Sequence, residues 1–286
     1  MRMKWLQVCG FFLPLVLGVT FLYSPSVAQA AGAAFVQAIG NAVGGSVSTY
    51  SVSFPGNTTA GDVILVGFDY TGGLTVTSVT DTQGNTFLPV GGQLTSPGGS
   101  SSSLYYAKNI RGGADTVTVT VSAATGGIEL YLAEYTGIDA VNPIDVQAGA
   151  AGNAGSVSSG NATTTVAGDI IFGYCLADWS CTAGSGFAAR STYNHNLIED
   201  MVAGAPGSYA ATGTANNGWT MHMVALKPAG GSGVIAPVIN SPLTATGTVN
   251  TAFSYQITAT NNPTSYGATG LPSTLTVNTE IGRAHV

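Results

Sequence analysis

One phrase occurs twice in the chain and limits what it can fold into. Thr59-Ala-Gly-Asp-Val-Ile-Leu-Val-Gly-Phe68 is echoed by Val166-Ala-Gly-Asp-Ile-Ile-Phe-Gly-Tyr174. In each copy a Gly-Asp turn feeds an uninterrupted apolar run, the pattern of a strand buried on both faces at the centre of a sheet. Two copies so far apart are too few for a solenoid. They predict two equivalent central strands in a two-sheet sandwich.

The surrounding sequence agrees. Short runs rich in Val, Ile, Thr and Tyr recur at 35–39, 47–54, 62–70, 74–80, 86–90, 103–108, 116–122 and 128–135. After a Gly/Ala/Ser-rich stretch they resume at 156–165, 169–175, 187–193, 208–214 and 219–227. Gly, Pro, Asn and Asp punctuate the gaps, as tight turns require. Thr116-Val-Thr-Val-Thr-Val-Ser122 alternates strictly, so one face packs inward and the other carries hydroxyls. No long stretch repeats at 3.6 residues, and helix formers such as Lys, Glu, Arg and Gln are scarce. Residues 31–228 therefore read as all-β, a jelly-roll-like two-sheet β-sandwich.

Charge narrows the function. Between residue 31 and residue 280 the cations are Lys108, Arg111, Arg190 and Lys227, against 13 acids. Nucleic acid binding needs clustered cations to displace phosphate counterions, and no such cluster exists here. Residues 1–30 read as a signal peptide: Arg2 and Lys4, an apolar stretch over 11–23, and an Ala28-Gln29-Ala30 cleavage site. The chain is thus expected to be exported, to the cell surface or the medium. If uncleaved, residues 5–23 are nearly long enough to anchor it in a bilayer. In an oxidising compartment the close pair Cys175 and Cys181 is expected to form a disulfide that pins one loop.

Residues 229–235 form a Gly/Ser linker, after which the style changes. Pro237-Val-Ile-Asn-Ser-Pro, then Ala252-Phe-Ser-Tyr-Gln-Ile257 and Gly270-Leu-Pro272, closely resemble the bacterial immunoglobulin-like (PIG-type, Ig/cadherin-like) domain. The resemblance covers residues 236–280 and implies the N-terminal part of an Ig-like β-sandwich, a module found in tandem in secreted and surface proteins. Asn250 stands where the family usually has Gly, and the segment that completes the sandwich is not reached. Cadherin-like relatives often bind calcium, but with Glu280 the only acid in the segment no ligand residue transfers. No other cofactor is expected. The last six residues, 281–286, match a translated sequencing adapter and are expected to be foreign.

The search for chemistry finds little. Glu129 and Glu134 lie an odd number of positions apart on one strand, so they point to opposite faces and cannot form a glycosidase pair with each other. There is no Gly-x-Ser-x-Gly elbow, no His-Glu-x-x-His and no EF-hand loop. His195 reads as a loop residue and His222 as a satisfied or surface histidine. Asp178, Glu199 and Asp200 are the only plausible cation ligands, and calcium wants several convergent oxygens. Trp179, Tyr193 and Trp219 are candidate ligand-facing aromatics, since flat rings beside amides can grip sugars. The chain is accordingly expected to be non-enzymatic, with a structural or adhesive role on the surface. The alternative is a carbohydrate-binding module of a larger polysaccharide-active protein. The expected partners are extracellular polysaccharide or another surface protein.

Overall fold

The computed structural model describes residues 32–230, 239–242, 252–259, 266–267, 276–278 and 283–285. The expected signal peptide and the Gly270-Leu-Pro272 turn lie outside these residues. The chain divides into two units, Gln29–Gly233 and a second comprising Met1–Ala28 with Val234–Val286. The described residues of both units are β-strand, turn and one short 3-10 turn, as the composition predicts.

In the larger unit the first half holds β1 (Ala34–Ser53), β2 (Val63–Thr71), β3 (Val76–Asp81), β4 (Phe87–Pro89), β5 (Leu94–Thr95), β6 (Ser100–Ala107) and β7 (Thr116–Thr136). The second half holds β8 (Ile144–Gly152), β9 (Gly155–Ser158), β10 (Ala162–Thr163), β11 (Ile170–Ala177), β12 (Cys181–Ala183) and β13 (Ala188–Ser191). It continues with β14 (Leu197–Val202), β15 (Ser208–Tyr209), β16 (Thr212–Ala215) and β17 (Trp219–Leu226). All pairings between them are antiparallel. The main sheet of the first half runs β1-β7-β2-β6-β4, with β3 on β7 and β5 on β6, and that of the second half β13-β14-β11-β17-β8, beside the smaller sheets β12-β16-β9 and β10-β15. The two copies of the Gly-Asp phrase are β2 and β11, each in the middle of its sheet.

The two halves repeat one wiring. β2 lies between β7 and β6 as β11 lies between β17 and β14, and β1 flanks β7 as β8 flanks β17. β4 borders β6 as β13 borders β14, and β3 borders the first part of β7 as β12 borders β16. The loops match as well. Gly61 N–H donates to Ile110 O and Ile110 N–H to Asp62 O; Gly168 N–H donates to Ala203 O and Ala203 N–H to Asp169 O. The domain is a doubled unit whose halves pack face to face.

Alternation along the strands makes the layers. Val63 and Leu65 of β2, Tyr131, Ala133 and Tyr135 of β7, and Leu104 of β6 meet Ile170, Phe172 and Tyr174 of β11, Ile198 of β14, and Val224 and Leu226 of β17 in one shared core. This is a β-sandwich. Gly67 faces that core, and a Cβ there would stand 2.8 Å from the Tyr174 ring, so the central strands cross where one of them has no side chain. The opposite face of β2, with Ile64, Val66 and Phe68, packs against Val117, Val119 and Val121 from the first part of β7. Behind β11 the same place is filled by Val157 of β9, Cys181 of β12, and Ala215 of β16.

Several runs that the sequence divides are continuous. β1 joins 35–39 to 47–54, and β7 joins 116–122 to 128–135. The alternating segment of β7 behaves as predicted: its valines are buried, and its hydroxyls pair with β1 across the strand. Thr49 and Thr120 are 3.2 Å apart, and Ser51–Thr118 and Ser53–Thr116 are each 2.8 Å apart. Four strands of the larger unit appear where none is predicted, the short β5 and β12 and the longer β8 and β14. β8 lies within the Gly/Ala-rich stretch and is an edge strand with few large side chains. β14 carries Glu199 and Asp200, whose charges disguise a buried strand.

In the smaller unit β18 (Ser254–Gln256), β20 (Arg283–His285) and β19 (Thr276–Asn278) pair in that order. Phe253, Tyr255 and Ile257 are the better-buried positions around β18 and alternate with exposed neighbours, as the sequence pattern requires. β20 falls within the six residues expected to be foreign.

Candidate functional site

The C-terminal ends of β2 and β11 converge on a cleft of about 570 Å³. Its walls come from Asp69, Tyr70 and Thr71 of β2, Gly126, Gly127 and Glu129 of β7, and Leu176 and Ala177 of β11. The Asp178–Trp179 and Asn194–Asn196 turns complete it, with Ala42–Gly44 of β1. The cleft is therefore a product of the sandwich: both central strands deliver it residues.

Asp69 and Glu129 are direct cross-strand partners. Each shares a strand face with inward-pointing core residues, so the two carboxyls stand side by side toward the cleft. Asp69 is 6 % exposed. Its Oδ2 accepts hydrogen bonds from the Tyr174 hydroxyl at 2.7 Å and from Asn196 Nδ2 at 3.0 Å. Asn196 Nδ2 also lies 3.1 Å from Glu129 Oε2, so one amide bridges both acids. The Tyr131 hydroxyl donates to Glu129 Oε2 at 2.7 Å, and Asn194 Nδ2 donates to its Oε1. Burial, and then the charge of Glu129, push the Asp69 carboxyl well above the usual carboxylate range, against the Tyr174 hydrogen bond. Asp69 thus keeps a proton where most acids have lost theirs.

The turn that presents these amides is strained. Asn194 and His195 have φ of 48° and 70°, left-handed values that cost energy in residues other than glycine. The side-chain bonds of Asn194 and Asn196 to the acids hold the turn in place, and Tyr193 O lies 2.9 Å from the Tyr131 hydroxyl. Across the cleft the Cys175–Cys181 disulfide, predicted from the sequence, closes the loop that carries Asp178 and Trp179. Ser96 Oγ donates to Asp178, 2.9 Å from Oδ1 and 3.1 Å from Oδ2. Trp179 is 70 % exposed at the cleft wall.

Of the predicted aromatics, Trp179 is exposed at the cleft wall and Trp219 is buried. Trp219 is 6 % exposed, packed behind β11, with its indole N–H given to Asn153 O. As the first residue of a central strand next to β8, its ring serves as a lid on the core rather than as a platform. Tyr193 is half-exposed beside the cleft but is not part of its wall. His222 is buried, with Nε2 2.9 Å from Ser102 Oγ, and burial lowers its pKa to about 4, so it stays neutral. Asp178, Glu199 and Asp200 do not converge. Glu199 accepts from Gly184 N–H, and Asp200 is held by Arg190 at 2.8 Å and by the Tyr135 hydroxyl at 2.7 Å. Among the described residues no three His, Cys, Asp or Glu side chains gather to hold a metal.

Glu129 and Glu134 do occupy opposite faces. Glu134 is fully buried and accepts from Thr59 N–H and Gln37 on the far side. What sequence reasoning misses is that Glu129 pairs with Asp69. The available signal was the single acid in an otherwise apolar strand, at the parity of Val63 and Leu65. The doubled fold shows that neither acid is a requirement of the architecture. At the matching positions the other half has Leu176 and Thr220, which are likewise cross-strand partners. Asp62 and Asp169, by contrast, recur in both copies at the entrance of the central strand.

No protein-family model, curated protein or solved structure matches this chain. The geometry of the cleft is what speaks to function.

Proposed function

We propose that residues 31–228 are the carbohydrate-binding domain of an exported, modular surface protein, and that the cleft holds a segment of a polysaccharide. The observation that carries this reading is Trp179, a large exposed ring at the wall of a cleft floored by carboxyls and side-chain amides. An apolar sugar face stacks on such a ring, while its hydroxyls bond to Asn194, Glu129 and Asp178. Glu129 and Asp178 make the cleft acidic, with His195 the one basic side chain among the residues that line it, which favours neutral or amino sugars over uronates and sulfated polymers. A jelly-roll-like sandwich followed by Ig-like spacers, as the sequence is read, suits a protein that adheres to a glycan-covered surface.

The test is affinity electrophoresis of the full chain through gels containing xylan, mixed-linkage glucan, galactomannan, starch or glycol chitosan. Retardation by at least one polymer is expected, and Trp179→Ala should abolish it without shifting the thermal midpoint. Free migration through all five contradicts the proposal.

A further inference from the structure

The cleft holds more than a sugar-binding surface requires. A binding module needs rings and amides. It does not need two carboxyls placed side by side, one of them nine-tenths buried. These acids stand where the sister half keeps Leu176 and Thr220, so the fold itself does not ask for them. Their oxygens Asp69 Oδ2 and Glu129 Oε2 are both within 3.1 Å of Asn196 Nδ2. That places them no more than about 6 Å apart, near the roughly 5 Å of retaining glycosidases and below the separation that leaves room for an inverting water. Among the described residues nothing donates to Asp69 Oδ1, although the residue lines the cleft. A buried acid with one oxygen unoccupied, aimed into a cavity, is poised to act on a ligand.

Building on the carbohydrate reading, we infer that the cleft hydrolyses a glycosidic bond with retention of configuration, Glu129 acting as nucleophile and Asp69 as acid and base. In the first step a Glu129 carboxylate oxygen bonds to the anomeric carbon while the bond from that carbon to the leaving sugar oxygen breaks. Asp69 gives its proton to that oxygen. In the second step the Asp69 carboxylate takes a proton from water, whose oxygen attacks the anomeric carbon and breaks the ester to Glu129. The proton returns to Asp69, and no other reactant is needed. The roles follow from position. Asp69 is the more buried and keeps its proton, whereas Glu129 is half-exposed and receives donors from Tyr131, Asn194 and Asn196 that hold its oxygens in place. Asn196 is a positioning residue that fixes the distance between them.

The experiment measures two quantities on the same five polymers: retardation in the gel, and release of reducing ends by the full chain. Binding together with release is expected. Asp69→Asn and Glu129→Gln should each lower release at least ~100-fold, as loss of an acid or nucleophile does, while the thermal midpoint persists. Because Asp69 is buried, Glu129→Ala with added azide provides a second measure. Azide should restore bond cleavage in this variant and yield a glycosyl azide of the opposite anomeric configuration. Retardation without release overturns this inference and leaves the binding reading intact. Release that survives both substitutions also overturns it, and failure to bind any polymer removes both readings.

Discussion

Asp169 is fully buried at the start of β11, where among the described residues no N–H or hydroxyl donor reaches its carboxyl oxygens and its hydrogen-bond partner is the Asp145 carboxyl. Burial, and then its neighbour Asp145, raise its pKa to about 7. Glu199 is raised to about 7, and Asp62 and Asp115 to about 6, all chiefly by burial. An acid with a raised folded pKa binds its proton more tightly in the folded state. It therefore favours folding below its unfolded pKa, and that favour is lost as pH climbs through the folded value. Asp139 and Asp145 shift the other way but act only below about pH 4, and His222, lowered to about 4, adds stability as pH rises to about 6.5, one group against four acids. The thermal midpoint should accordingly fall between pH 5 and pH 8, and Asp169→Asn should flatten that fall. A midpoint that rises over this range contradicts the assignment. At this scale the sequence is least transparent. The Gly-Asp phrase marks Asp62 and Asp169 as repeated, but nothing in it says that their carboxyls are buried with a proton. Asp69 reads as part of an apolar run because its partner Glu129 is 60 positions away and only sheet register brings the two together.

The strands themselves were far more legible than their partners. Alternation identified the two faces of β7, and the repeated phrase identified both central strands, because these patterns are local. The sequence does not mark β8 and β14 because pairing, rather than propensity, makes them strands: β8 borrows its order from β17, and β14 buries Glu199 and Asp200, the latter held by Arg190. Two elements lend themselves to test. Gly67→Val would drive a branched side chain into the Tyr174 ring, 2.8 Å from where its Cβ must sit, and overpacking of that kind costs about 1–3 kcal/mol. Denaturant unfolding should show that loss, and an unchanged stability would mean that the sheets do not meet at this point. The Cys175–Cys181 loop closes over a sequence separation of 6, for which chain entropy gives at most about 2.4 kcal/mol. The Cys175→Ala, Cys181→Ala double variant should lose up to that much stability. It should also bind the retained polymer more weakly than wild type, because Trp179 rides on this loop.

The whole domain is a doubled β-unit that closes one core between its halves, with the paired acids Asp69 and Glu129 in only the first of them. Neither half alone can cover its share of that core, so residues 33–137 and 138–230 expressed separately should remain unfolded and regain β-structure only when mixed. A folded half on its own would show that the two sheets are independent. The repetition was visible in sequence as one phrase, and the rest of it lies in pairings that only the fold reveals. It also provides the sharpest argument about function, since Asp69 and Glu129 stand where the other half has the uncharged Leu176 and Thr220, so the architecture does not demand acids there. The most direct measurement is a nuclear magnetic resonance titration of the full chain with an oligosaccharide cut from whichever polymer retards it. The account predicts shifts at the Trp179 indole and the side-chain amides of Asn194 and Asn196, with the buried Trp219 indole unmoved. Shifts confined to the hydroxyl rows of β1 and β7, or absent from the cleft, would contradict it.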